Sequence, residues 1–114
     1  MAFSEFELKR IDKTVGALCR RVSRPEHADK LRFVFEVDGH AVSIYEERPP
    51  LDCIGWWTRM GVARFRYRRT RGSWTLCWMR RDLKWHTYDP EVITTDLESL
   101  VALVDEDRYG AFFG

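Results

Sequence analysis

The stretch VARFRYRRTRGSWTLCWM, residues 62–79, constrains the fold more than any other, because two alternating segments face each other across a turn that contains Arg71-Gly72. Successive side chains on a strand point to opposite faces, so the parity of the turn decides which residues end up together. An even number of turn residues sets Phe65 and Tyr67 beside Trp74, Leu76 and Trp78, and leaves Arg66, Arg68, Thr75, Cys77 and Met79 on the other face. An odd number would put Arg64, Arg66 and Arg68 among the tryptophans. Only the even turn keeps guanidinium groups out of the apolar layer, and it predicts a hairpin from about Val62 to Met79.

A first hairpin precedes it in LRFVFEVDGHAVSIYEERPP, where Asp38-Gly39 is a favoured two-residue turn. Pairing Val37 with His40 puts Phe35 opposite Val42 and Phe33 opposite Ile44, so Leu31, Phe33, Phe35, Val37, Val42 and Ile44 share a side. Pro49-Pro50 ends the second strand, and LDCIGWWTRMG reads as a loop. RRDL at 80–83 reverses the chain into a fifth strand over 84–88, with Trp85 opposite Trp78. By that parity Lys84, His86 and Tyr88 join the arginine face, and Trp74, Trp78 and Trp85 belong to the core.

Helices are expected at both ends of the chain. Ser4 with Glu7 forms a capping box, Phe3 with Leu8 has the spacing of a hydrophobic staple, and Leu8, Ile11, Val15, Leu18 and Val22 form one stripe before Pro25. Thr95 with Glu98 makes a second capping box. Leu97, Leu100, Val101 and Val104 give the stripe of a closing helix that Gly110 can end, and the tail YGAFFG is aromatic enough to pack down. A sheet with one apolar face needs a cover, and these helices are the available material. The predicted fold is α+β in two layers: an antiparallel meander of about five strands flanked by an N-terminal and a C-terminal amphipathic helix, in one domain over residues 1–114.

Composition narrows the function classes. The apolar share of 45% and charged share of 32% suit a globular chain. No apolar run reaches the roughly 18 residues of a membrane span, and MAFSEFELKR lacks the apolar stretch of a signal peptide, so a cytoplasmic location without membrane contact is expected. Cys19, Cys53 and Cys77 are widely spaced with no CxxC pair, which predicts neither a disulfide framework nor a metal site, and no cofactor motif is present. The net charge of +1 hides a strong separation: nine basic residues against Asp82 alone between Arg59 and Lys84, then seven acids against Arg108 from Asp89 onward. Such asymmetry speaks of partners more than of fold.

Three surfaces could carry function. A basic sheet face of Arg66, Arg68, Lys84, His86 and Tyr88, with Arg80 and Arg81 at its rim, could hold phosphates and stack a base, making nucleic acid the leading partner of a non-enzymatic binding module. The same arginines would also serve simply as the solvated side of a sheet. Alternatively Trp56 and Trp57 could anchor a protein partner, and Asp105, Glu106 and Asp107 could dock on a basic surface or on a second copy of the chain. A small enzyme could be built from His86, Asp82 and Cys77, or from Glu46, Glu47 and His40, but neither set supplies a full nucleophile, base and orienter, so no catalytic residue is assigned.

WMRRDLKWHTYDP and VDEDRYGAFFG near the end, with SEFELKRID at the front and VDGHAVSIYEERP between, resemble an uncharacterised bacterial family catalogued as domain of unknown function 3024. The likeness spans essentially the whole chain. It implies a small stand-alone bacterial cytoplasmic protein, and it brings no activity, partner or catalytic residue with it.

Overall fold

The computed structural model describes residues 3–27, 29–50, 55–88 and 92–113. At the N-terminus Ser4 caps α1 (Glu5–Ile11) as expected: its hydroxyl accepts the Glu7 N–H at 3.1 Å, and the Glu7 carboxylate accepts the Ser4 N–H at 2.8 Å. The helix does not run on unbroken. A π-turn, Asp12–Gly16, separates α1 from α2 (Ala17–Val22), and a Cβ at Gly16 would lie 3.2 Å from the Phe35 ring, so the helix approaches the sheet closely there. Ile11, Val15, Leu18 and Cys19 are buried, while Leu8 is left exposed and Phe3 stacks on Trp74 with ring centroids 5.7 Å apart.

Among the described residues six strands follow: β1 (Arg32–Asp38), β2 (Ala41–Arg48), β3 (Thr58–Arg68), β4 (Ser73–Met79), β5 (Trp85–Thr87) and β6 (Ile93–Thr94). The first five pair in chain order as an antiparallel meander, and β6, which the sequence pattern does not reveal, pairs with β4. The fold is therefore α+β, an antiparallel sheet covered on one face by helices from the two ends of the chain.

Register bears out one hairpin and corrects two. Arg68 pairs with Ser73 across the four residues Arg69 to Gly72, an even turn, so Phe65, Tyr67, Trp74, Leu76 and Trp78 share the helix-covered face. In the first hairpin the turn residues are Gly39 and His40, not Asp38 and Gly39. Gly39 has φ 59° at the first turn position, where a II′ turn favours glycine, and the slide sets Val37 against Val42 and Phe35 against Ile44. A shift of two residues leaves every face unchanged.

The second correction changes faces. Met79 pairs with Trp85 and Trp78 with His86, across the five residues Arg80 to Lys84, among which Leu83 takes the left-handed conformation at φ 62°. An odd loop reverses parity. Trp85 thus leaves the core face for the arginine face, and His86 goes the other way.

LDCIGWWTRMG is only partly a loop, since Thr58 to Gly61 belong to β3; its residues 51–54 lie outside the described residues. A bulge opposite Ile44 and Tyr45 leaves Val62 without a partner on β2. Val62 and Ala63 are both buried, and below the bulge the alternation is reset. Arg59 and Gly61 consequently point the same way as Arg64, Arg66 and Arg68.

The closing helix, α3 (Leu97–Glu106), is capped by Asp96 rather than Thr95, and it ends at Asp107 rather than Gly110. Asp107 holds φ 47°, and its carboxylate accepts the N–H groups of Phe112 at 3.0 Å and Phe113 at 2.8 Å. Those two rings pack down as expected, Phe112 on Tyr88 and Phe113 edge-on to Phe33. The Asp107→Ala variant removes both charge-assisted bonds and is expected to lose about 2 kcal/mol in a urea titration. An unchanged midpoint would mean the tail is held by its rings alone.

Candidate functional site

One face of the sheet carries Val42, Ile44, Phe65, Leu76 and Trp74 in a cluster with Ile11, Val15, Leu18, Leu100 and Val104 from the helices. Among the described residues no helix packs on the other face. Across β3 that face presents a single row of four arginines, Arg59, Arg64, Arg66 and Arg68. Between and beside them stand small residues, and Ala41, Ser43 and Cys77 are buried although no helix lies over them. Long arginine stems are the material that can shield them.

The row divides into a neutralised end and an uncompensated one. Arg32, Glu47 and Arg59 lie directly opposite one another on β1, β2 and β3. The Glu47 carboxylate accepts Arg32 Nε at 2.7 Å and Arg59 Nη2 at 2.8 Å, while Arg59 also bonds Glu36. The Arg59 hydrogen bond, aided by Arg32, holds the Glu47 carboxyl below its ordinary range. Arg66 and Arg68, both exposed, have no carboxylate partner among the described residues. Arg64 lies between the two ends with its Nε buried and without a hydrogen-bond partner, and its guanidinium carbon is 5.9 Å from the centroid of the Trp85 ring.

Aromatic rings complete this face. Trp85, half-buried, meets Tyr45 edge-on at 6.3 Å and lies over Gly61, where a Cβ would come within 2.8 Å of the indole. Arg59 lies over the Tyr45 ring at 4.6 Å. A shallow depression of about 350 Å³ near Arg64, Arg66 and Arg68 is lined also by Asp38, His40, Thr75 and Thr87.

The residues expected on the basic face are thus split. Arg66 and Arg68 remain on it. Tyr88 is buried against Phe112, and that burial raises its hydroxyl pKa. His86 sits opposite Trp78 on the helix side, bonded to Asp82 at 2.8 Å. Arg80 covers Trp78 at 5.6 Å, and alternation puts Lys84 with His86; Arg81 is exposed on the turn. Sequence reasoning missed Trp85, Tyr45 and Arg64 as members of this face. The signal for Trp85 was Asp82, whose carboxylate accepts the Lys84 N–H at 3.0 Å and so favours a tight turn within the β4–β5 loop.

The alternative surfaces are also altered. Trp56 is 91% exposed, but Arg32 stacks on Trp57 at 4.0 Å. Asp105 pairs with Arg21 at 2.7 Å, Glu106 pairs with Arg108 at 3.3 Å, and Asp107 is consumed by the tail. For an enzyme, the groove of about 520 Å³ beside the β4–β5 loop is lined by Trp78, Met79, Arg80, Arg81 and Asp82, without His86. Cys77 is 2% exposed, too buried to act as a nucleophile on an outside substrate. Among the described residues no cluster of His, Cys, Asp and Glu could hold a metal ion, and no helix is long and apolar enough to cross a membrane.

The family described as domain of unknown function (DUF3024) matches residues 3–114. The chain belongs to this family. Membership in DUF3024 agrees with the resemblance seen in the sequence and assigns no chemistry to the arginine row. No curated protein and no solved structure matches the chain.

Because Glu47 has a depressed pKa in the folded state, its contribution to stability is complete above the unfolded carboxylate range and is lost as pH falls through the folded value. The Glu47→Gln variant is expected to be less stable than the parent by about 2 kcal/mol at neutral pH. That gap should close in acid, measured by urea titration at both ends. A gap independent of pH would contradict the ion-pair account.

Proposed function

We propose that this protein is a non-enzymatic binding module that uses the uncovered sheet face to hold an anionic partner, with nucleic acid as the leading class. The observation that carries the reading is the pair Arg66 and Arg68, adjacent on one strand, exposed, and without a neutralising carboxylate among the described residues. A guanidinium donates a planar fork of N–H groups that matches phosphate, and two beside each other hold a polyanion better than a single charge. Arg64 adds a third cation on the same face. The partly exposed ring of Trp85 supplies stacking surface in place of Tyr88.

Docking of a protein through Trp56 has less support, since Trp57 and the acidic helix end are engaged within the chain. Cytoplasmic residence is part of the proposal, and it is consistent with Cys19 being buried as a free thiol.

Labelled oligonucleotides titrated by fluorescence anisotropy over a range of salt test the reading. Binding is expected to weaken with salt, and the Arg66→Gln, Arg68→Gln double variant should lower the slope of log affinity against log salt by about two, one unit per phosphate contact removed. Absence of binding at low salt, or an unchanged slope in a folded double variant, would overturn it.

A further inference from the structure

We infer that the polyanion is a single strand of nucleic acid lying along β3, with neighbouring phosphates on Arg64, Arg66 and Arg68 and an unstacked base against Trp85. This rests on the binding reading above and narrows it.

The cations form one row. Alternate residues of a strand lie about 6.6–6.8 Å apart, close to the spacing of neighbouring phosphates along one nucleic-acid strand. Each of the three arginines can therefore meet a phosphate of a single backbone running with β3.

A duplex would be held on both its strands only by a second cationic row across a groove roughly 6 or 12 Å wide. Two strands away from β3, a distance of about 9–10 Å, the sheet has nothing to offer it. Level with Arg64 those positions are Glu36 on β1 and Thr87 on β5, and level with Arg66 they are Asp38 on β1 and Ile93 on β6. Asp38 repels phosphate from the β1 side. It favours a strand lying over β3 and β4, where Thr75 and Cys77 make a low floor.

The rings stand at one end of the row. Trp85 and the Arg64 guanidinium, 5.9 Å apart, are flat surfaces that a base can cover only when it has left its own stack. Duplex bases are already stacked and cannot use them. Gly61 under the indole fixes the ring against the sheet, so little side-chain freedom is lost when a base arrives.

The experiment compares a labelled single-stranded oligonucleotide, a hairpin duplex of the same bases, and heparin as a polyanion without bases, all at one low salt concentration. The single strand is expected to bind at least about tenfold tighter than the duplex, and to quench tryptophan fluorescence where heparin does not. Trp85→Phe should keep most of the affinity and lose most of the quench, whereas Trp85→Leu should lose about tenfold in affinity. Equal or tighter duplex binding, or a quench that survives in Trp85→Phe, would overturn this inference and leave the anion-binding reading standing. Failure of all three polyanions to bind would remove both.

Discussion

Side-chain alternation along β3, a strand hydrogen-bonded on both sides, is the constraint on which the rest of the molecule depends. Ala63 and Phe65 are fully buried on one face while Arg64 and Arg66 leave by the other. Burying a side chain the size of phenylalanine, leucine or isoleucine contributes about 1.5–3 kcal/mol, and Phe65, Leu76 and Ile44 all hold the same register. A slip of one residue would expose that whole set and push guanidinium groups under the helices, where an unpaired charge is far more costly than the burial is favourable. The direction in which the arginines point is thus dictated by the core. No ligand is needed to arrange them.

Two local irregularities then shape what this face contains. The bulge at Val62 turns Arg59 toward the face of Arg64, where it meets Glu47 and Glu36 and is neutralised. The odd loop after Met79 turns Trp85 onto the same face, beside Arg64 and Tyr45. One end of the face becomes a paired, aromatic-backed platform, and the other keeps Arg66 and Arg68 uncompensated. A net charge of +1 for the chain conceals this local excess, because acids elsewhere offset it, seven of them from Asp89 onward.

Much of this was legible in the residues. Ser4 and Glu7 announce the first helix because the capping box is local chemistry, and the segregation of Phe65 and Tyr67 from Arg66 and Arg68 follows from period two with an even turn. What escaped were the places where one residue changes parity. Nothing in VARF marks Val62 as unpaired, and DL in RRDLKW does not advertise a leucine at positive φ, a conformation more typical of glycine or asparagine. A single miscounted loop residue exchanged Trp85 and His86 between faces and sent Tyr88 to the wrong one. The two-residue slide in the first hairpin, by contrast, was harmless because it preserved parity.

Arg64, Arg66, Arg68 and Trp85 are proposed to form one binding surface on the uncovered side of the sheet. Titrating isotope-labelled protein with a short single-stranded oligonucleotide, while following its arginine Nε–H and tryptophan indole N–H signals by NMR, tests this most directly. The account predicts that the signals of these four residues move together along one binding curve, while Trp74 and Trp78 on the helix side stay still. Shifts concentrated on Trp74, Trp78 and Arg80, with the β3 arginines unmoved, would contradict it.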